Sequence, residues 1–302
     1  MTTDVVDLQG NHLESPFTAS FFTMSSDTVG GRIAYSMWDE YDKYVSIFTI
    51  DSDGKNNERL TKHTDAVDFE IDWSPDGTKM VFTRGIGTGL YDIYLMNSDG
   101  TFIENLTNSP EIGERSAHFS PDGNKIVFSL WPPGETWDIF IMNSNGTEQE
   151  NLTNTPDVVE FAPDWSPDGK KIVFVISKGA PSGIYIMDSD GANRHILAAG
   201  SYRHPAWSPD GKEIAFFNED NNNMLKMNSD GSSLTMVAPW TWYGAGLSWS
   251  ADGKRWAFAL ADDNFWPALA VINRDGTNLK LLTPHSYRFI ESIAWSPWPL
   301  PW

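Results

Sequence analysis

The chain has 302 residues, of which 40% are hydrophobic and 13% aromatic, enough apolar material for a packed core. Its 41 acidic and 21 basic residues give a formal charge of −20, which argues against a nucleic-acid partner because phosphate binding needs a basic surface. It has no cysteine, so disulfides, thiolate nucleophiles and zinc–sulfur sites are excluded.

One block recurs along the chain, and the recurrence determines the predicted architecture. Its first full copy runs from Trp-Ser-Pro-Asp-Gly at 73–77 through Lys-Met-Val-Phe at 79–82 and a Ser-Asp-Gly turn at 98–100 to Asn-Leu-Thr at 105–107. The aromatic residue that opens the block, here called the anchor, occurs six times: Trp73, Phe119, Trp165, Trp207, Trp249 and Trp295. A turn glycine also recurs six times.

Each repeat reads as four short strands, A to D, because apolar and polar residues alternate and no helical period is sustained. Strand A ends at the anchor, and Pro-Asp-Gly and Ser-Asp-Gly provide the tight A–B and C–D turns. A four-stranded unit of this size cannot bury both faces alone, so the units stack around an axis. The sequence therefore predicts an all-β, six-bladed β-propeller with four-stranded antiparallel blades.

The ring closes where the two ends of the chain meet, and two closures are open at this stage. In the first, the segment around Trp295 is a strand A that completes the blade begun by strands B, C and D near 31–61. In the second, residues 20–24 provide that strand A and the C-terminal strand is extra. We expect the first closure, with an N-terminal extension at 1–29, the propeller at 30–297 and a tail at 298–302.

The repeated Trp-Ser-Pro-Asp-Gly and Asp-Ile-Tyr-x-Met-Asn-x-Asp-Gly-Thr motifs resemble the TolB-like family of β-propeller repeats. The resemblance covers about residues 30–297 and implies the fold rather than one activity. The family includes propellers that bind protein partners, propellers attached to peptidases, and lyases. No Gly-x-Ser-x-Gly elbow occurs here, so a peptidase is not expected.

The propeller separates its connections onto two faces. The A–B and C–D hairpins are uniform, whereas the B–C loops and D–A crossovers vary and carry most of the surplus aromatics, which are favoured anchors for ligands. The predicted ligand-binding aromatics of this variable face are Trp38, Trp131, Trp137, Trp240, Trp242, Tyr243, Trp266 and Tyr287. The alternative is that these rings fill gaps between crossovers.

Charged residues upstream of each anchor are predicted to surround the mouth of the central channel. They are Glu70, Glu114, Arg115, Glu160, Arg203, His204, Arg288 and Glu291. Of these, Glu160, His204, Arg115 and Arg203 are the candidates for catalysis, as acid, base and anion-binding groups. The alternative is that these charges pair with one another. His118, beside an anchor, is expected to serve packing.

Two functions remain open from the sequence. In the first, a protein, peptide or polar small molecule binds on the variable face over the channel; in the second, a free-standing propeller acts as a lyase, cyclase or hydrolase. No cofactor is expected, although carboxylates at the channel suit a divalent cation such as calcium. We expect a monomer without membrane insertion, since no apolar run reaches the roughly 18 residues of a spanning helix. The resemblance suggests a periplasmic or secreted location, but the chain starts without a signal-peptide pattern.

Overall fold

The computed structural model describes residues 31–39, 44–62, 65–87, 90–109, 111–132, 134–238, 246–261, 266–284 and 290–297. These residues form 24 strands in six antiparallel sheets of four strands each, so the predicted six-bladed propeller is confirmed. No helix long and apolar enough to cross a membrane occurs among them.

The strands are numbered in chain order, and each blade is numbered from the blade that closes the ring. Blades 1 and 2 contain β1 (Arg32–Asp39), β2 (Tyr44–Asp51), β3 (Glu58–Arg59), β4 (Ala66–Trp73), β5 (Lys79–Ile86), β6 (Tyr91–Asn97) and β7 (Glu104–Asn105). Blades 3 and 4 contain β8 (Gly113–Phe119), β9 (Lys125–Trp131), β10 (Asp138–Asn143), β11 (Glu150–Asn151), β12 (Val159–Trp165), β13 (Lys171–Lys178), β14 (Gly183–Asp188) and β15 (His195–Ala199). Blades 5 and 6 contain β16 (Tyr202–Trp207), β17 (Glu213–Asn218), β18 (Met224–Asn228), β19 (Thr235–Ala238), β20 (Ser248–Trp249), β21 (Arg255–Ala261), β22 (Pro267–Asn273) and β23 (Lys280–Leu281). The last strand, β24 (Ile290–Trp295), completes blade 1.

The ring closes through the first of the two predicted arrangements. Blade 1 has the order β24-β1-β2-β3, and β24 pairs with β1 from Ile33 opposite Trp295 to Met37 opposite Ile290. Ser296 adds a backbone hydrogen bond to Arg32 at 2.8 Å. The first and last strands of the described chain therefore share one sheet, which joins the ring.

The core lies between blades, since each of the six apolar clusters joins two neighbouring sheets. One aromatic ring per blade, at the same position of strand B, is completely buried: Tyr35, Phe82, Phe128, Phe174, Phe216 and Phe258. Burying a ring of this size contributes about 2 kcal/mol relative to leaving it exposed. The repeated apolar position thus provides each blade with an equivalent buried ring for packing.

The A–B hairpins repeat one turn design, which makes the face that carries them uniform. In blade 2, the Ser74 hydroxyl donates to Asp76 Oδ1 at 2.6 Å and accepts the Lys79 N–H at 2.9 Å. Gly77 completes the turn at a φ of 69°, where a side chain would be strained. We call this side of the ring the lower face, and the side with the B–C loops and D–A crossovers the upper face.

Candidate functional site

A β-bulge in strand A sets which side chains face the channel. In blades 2 to 5 the pairing of strands A and B shifts register just before the anchor, as between Phe69 and Asp72 or between Arg203 and Ala206. The residue three positions before the anchor has a positive φ in each of these blades, for example 52° at Glu70 and 48° at His204. Non-glycine residues adopt this backbone at a cost, and such strain concentrates at ligand-binding and catalytic sites.

The bulge turns the residues three and four positions before the anchor toward the axis, together with the residue directly before the anchor. The residues three positions and one position before the anchor line a cavity of about 560 Å³ along the axis, which we call the lower cavity. Its lower end is lined by residues of the A–B turns, namely Pro75, Pro121, Pro167, Pro209 and Ala251. This volume lies within the range of small-molecule sites, about 300–1,000 Å³.

Two carboxylates and an imidazole form one side of the lower cavity. His118 Nδ1 lies 3.9 Å from Asp72 Oδ2 and 3.9 Å from Asp164 Oδ1. Asp72 Oδ2 also accepts the backbone N–H of Phe119 at 2.9 Å, and Asp164 Oδ2 accepts that of Trp207 at 2.8 Å. These three side chains come from consecutive blades, at the position directly before each anchor.

Burial determines the charge states of this group. Loss of solvation raises the pKa of Asp72 to about 7 and that of Asp164 to about 6, against the backbone hydrogen bonds that favour their charged forms. The same burial lowers the pKa of His118, although Asp164 opposes the shift. At pH 7 and above the imidazole is therefore neutral, and this side of the cavity carries negative charge.

Glu70, Arg115 and His204 form the next layer toward the upper face. Glu70 Oε1 lies 3.1 Å from Arg115 Nη2, and its Oε2 accepts the Ser116 N–H at 2.8 Å. Burial alone would raise the pKa of Glu70, but Arg115 and this N–H outweigh it, and the pKa lies below its usual value. Desolvation lowers the pKa of His204 to about 4, so His204 is also neutral. Glu291 completes the layer, and burial raises its pKa.

The opposite side of the lower cavity is small and uncharged. At the position directly before the anchor, blades 5, 6 and 1 carry Ala206, Ser248 and Ala294 where blades 2 to 4 carry Asp72, His118 and Asp164. Gly246 adds further room one layer up. The channel is thus charged on one half and open on the other.

A second cavity, of about 450 Å³, opens toward the upper face over blades 2 to 5 and shares Glu70, His204 and Glu291 with the lower one. We call it the upper cavity. Its aromatic side chains are Phe69, Phe161 and Trp137. Trp137 stacks on Trp131 with ring centroids 6.2 Å apart, and Trp131 is 44% exposed.

Arg115 is held rigidly in the upper cavity. Its guanidinium lies 5.0 Å from the centre of the Phe69 ring and 5.2 Å from that of Tyr91, in addition to its ion pair with Glu70. Stacking and an ion pair together fix the fork of an arginine. Arg203, also in this cavity, pairs instead with Glu219.

The prediction that Glu114 and Glu160 surround the mouth of the channel is wrong. Both are completely buried, and neither lines the upper or the lower cavity. Glu114 accepts a hydrogen bond from Thr107 of blade 2 at 3.3 Å, and Glu160 accepts one from Arg194 at 2.6 Å. The bulge is the reason: it adds one residue to the strand, so the position five before the anchor turns away from the axis.

The predicted catalytic set is consequently not assembled, because Glu160 lies outside the cavities that contain His204, Arg115 and Arg203. On the upper face, Trp38 is partly buried at the end of β1, and Trp266 is 46% exposed beside β22. The remaining predicted residues, Trp240, Trp242, Tyr243, Tyr287 and Arg288, lie outside the described residues.

Asp72 and Asp164 were not predicted as site residues from the sequence, and His118 was expected to serve packing, whereas all three line the lower cavity. A signal existed: the residue directly before the anchor varies among Asp, His, Ala and Ser while the anchor stays aromatic. As for the divalent cation considered above, no group of three or more His, Asp or Glu side chains suited to a metal ion occurs in the described part of the chain.

Comparisons with known proteins agree with this architecture. Solved structures of similar fold include TolB from Acinetobacter baumannii, with a TM-score of 0.76 and 22% identity over 88% of this chain. The match spans 66% of that protein's length. The putative TolB from Agrobacterium tumefaciens has a TM-score of 0.67 and 17% identity over 88% of this chain and 98% of its own. An oligogalacturonate lyase from Vibrio parahaemolyticus has a TM-score of 0.55 and 15% identity over 82% of this chain and 73% of its own.

At these identities the structural likenesses show the fold alone, and a sequence comparison with curated proteins found no match. A family model described as the TolB beta propeller domain matches residues 113–299, more than half of the chain. The chain therefore belongs to the TolB β-propeller domain family.

Proposed function

We propose that this protein is a binding propeller whose upper face receives a segment of a protein or peptide, or a polar small molecule, over the central channel. The observation that carries the proposal is that the two cavities adjoin, with Glu70, His204 and Glu291 in the walls of both. Together they lead from an aromatic mouth to a polar interior, the combination typical of ligand sites.

The residues at the mouth of the upper cavity have different roles in ligand recognition. Trp137, backed by Trp131, offers a flat ring at the rim, and such rings are frequent binding anchors. Arg115 is immobilised before any ligand arrives, so little side-chain entropy is lost on binding. Its guanidinium is placed to contact a carbonyl or carboxylate of the ligand.

The test is to select binders from a random peptide display library and compare variants. Trp137→Ala should weaken the selected peptides about tenfold or more, since anchor rings of this kind contribute over 1.4 kcal/mol. Phe102→Ala is the matched control, because Phe102 is 85% exposed in a C–D hairpin on the lower face. If the wild-type protein and Trp137→Ala bound the peptides with equal affinity, the upper cavity would not be the binding site.

An enzymatic function is the second candidate, and one observation favours it. Burial raises the pKa of Asp72 to about 7, and a carboxyl with such a pKa suits general acid–base catalysis near neutral pH. Asp72→Asn would then abolish turnover of any substrate found, whereas a binding protein would only change its affinity.

We also propose, from family membership, that the protein is a monomer in the periplasm or outside the cell. Size-exclusion chromatography with light scattering tests the first statement, and fractionation of the native host tests the second. A dimer at micromolar concentration, or recovery with cytoplasmic markers, would contradict them.

A further inference from the structure

The side chains that line the lower cavity include several acidic groups and no lysine or arginine among the described residues. Four carboxylates line it, Glu70, Asp72, Asp164 and Glu291, together with two imidazoles. We propose that the lower cavity binds an organic cation, the side-chain ammonium or guanidinium group of a basic residue in the ligand. This inference rests on the proposed function, because it names the chemistry of the ligand that enters from the upper face.

The cation would lie between Asp72 and Asp164. Both carboxylates are oriented by hydrogen bonds to backbone N–H groups of the next blade, yet their side chains remain 26% and 21% exposed to the cavity. The Nδ1 atom of His118 lies 3.9 Å from each carboxylate, too far for a hydrogen bond. The arrangement therefore presents two oriented acceptor groups that the neutral imidazole does not neutralise.

An independent observation also points to a ligand. Trp207 lines the lower cavity at 9% exposure, and its buried indole N–H has no hydrogen-bond acceptor within the described residues. The equivalent indoles of Trp73 and Trp249 each donate to a backbone carbonyl of the preceding blade at 3.2 Å. The equivalent indole of Trp165 also has no acceptor within the described residues, but Trp165 lines neither cavity. A buried donor without an acceptor is destabilising, so a carbonyl or hydroxyl of the ligand would satisfy it.

The shape of the channel selects a long basic side chain. Asp72 and Asp164 lie below the layer of Glu70 and His204, so a group that enters from the upper face must pass that layer first. The uncharged half, with Gly246, Ala206 and Ala294, leaves space for an aliphatic stem. Arginine and lysine combine such a stem with a cationic head.

The experiment measures binding of small probes by calorimetry at pH 8, where both aspartates are charged. The probes are Nα-acetyl-arginine methylamide and Nα-acetyl-lysine methylamide. The corresponding citrulline compound is the neutral isostere of the arginine probe. We expect the arginine probe to bind about tenfold or more tightly than the citrulline probe, because charge-assisted hydrogen bonds are about twice as strong as neutral ones.

Asp72→Asn and Asp164→Asn should each weaken the arginine probe at least about fivefold. Asparagine retains the oxygen that accepts the backbone N–H, so the blades remain joined, which circular dichroism verifies. Asp76→Asn is the matched control, because Asp76 lies in an A–B hairpin of the lower face. Equal affinity for the arginine and citrulline probes, no binding of either, or no effect of Asp72→Asn would overturn the inference.

The two proposals fail differently. Peptides that depend on Trp137 but show no enrichment of basic residues would leave the upper-face proposal in place and refute the cation site. Basic probes that depend on Asp72, with peptide binding unchanged by Trp137→Ala, would refute the upper-face proposal and leave the cation site.

Discussion

The carboxylate of Asp72 joins two blades, since its Oδ2 accepts the backbone N–H of Phe119, the anchor of the next blade, at 2.9 Å. Asp164 has the same relationship to Trp207 at 2.8 Å. Asp72 and Asp164 therefore each have two roles, because they line the channel and hold the following blade in place.

At the seam of the ring, where blade 6 meets blade 1, the uncharged side chain of Ser248 makes the equivalent hydrogen bond. Its Oγ accepts the backbone N–H of Trp295 at 2.8 Å and so connects blade 6 to the C-terminal strand of blade 1. Ser248→Ala should lower the free energy of unfolding by about 1 kcal/mol, the usual net value of one hydrogen bond. Urea denaturation measures this, with Ser189→Ala in a C–D hairpin as the control. A loss no larger than that of the control would show that the bond does not stabilise the seam.

Backbone strain at the bulge gives a second prediction. Ala162 has a φ of 52°, whereas Ala117, also buried in a strand A, does not have a positive φ. Glycine relieves the strain at the first position only, so Ala162→Gly should be at least about 0.5–1 kcal/mol less destabilising than Ala117→Gly. Thermal and urea unfolding compare the two variants. Equal losses would show that the positive φ is not strained.

Glu114 predicts a dependence of stability on pH. Burial, and to a lesser degree the neighbouring Asp92, raises the pKa of Glu114 from 4.5 to about 8. The folded state therefore retains a proton that the unfolded state releases near pH 4.5, so stability contributed by this group decreases as the pH rises from 4.5 to 8. Glu114→Gln removes the titration and should gain at least about 1 kcal/mol relative to wild type between pH 5 and pH 8. A pH-independent difference between the two proteins would contradict this.

Glu160 provides the internal comparison for that prediction. It occupies the equivalent buried position in blade 4, but there Arg194 Nη1 lies 2.6 Å from the carboxylate, whereas the structure gives Glu114 hydroxyl and carboxyl neighbours. A buried carboxylate with a cationic partner keeps its charge more easily. Glu160→Gln should therefore change the pH dependence less than Glu114→Gln, as measured by the same denaturation series.

Binding of the arginine probe should weaken as the pH falls. The pKa of Asp72 is raised to about 7 and that of Asp164 to about 6, chiefly by burial, so both carboxylates take up protons between pH 8 and pH 5. The cavity loses negative charge, and the affinity should fall about tenfold or more across this interval. Calorimetry at four pH values measures it, and an affinity that is constant or rises toward pH 5 would oppose the expectation.

The other groups that face this pair change the result little. Burial lowers the pKa of His118, and it lowers that of His204 to about 4, so the neutral imidazole is favoured in both. Arg115 keeps Glu70 charged, although burial raises the pKa of Glu291 and adds a further site that takes up a proton on acidification. Asp72→Asn should accordingly flatten, but not abolish, the pH profile.

The sequence predicted the blades well because each repeat contains the residues that determine its own turns and its own buried strand. The Trp-Ser-Pro-Asp-Gly step fixes a turn, and the apolar run behind it supplies the buried ring of strand B, such as Phe82 or Phe174. Closure through Trp295 followed from an unpaired strand A at one end and unpaired strands B to D at the other. Each of these signals is local in sequence.

The site was predicted less well, because it depends on a register shift between strands A and B that the amino-acid composition does not reveal. Strict alternation along strand A places residues five, three and one positions before the anchor on one face. The bulge breaks this rule, so Glu114 and Glu160 turn away while Arg115 and Phe161 turn toward the axis. Backbone strain at residues such as His204, which identifies the bulge, is visible only in three dimensions.

The most direct test of the channel as the binding site is a crystal structure with the tightest peptide from the display selection. We predict a basic side chain of that peptide between Asp72 and Asp164, with its backbone beside Arg115 and Trp137. Density for the peptide on the outer strands or on the hairpins of the lower face, with the channel unchanged, would contradict the account.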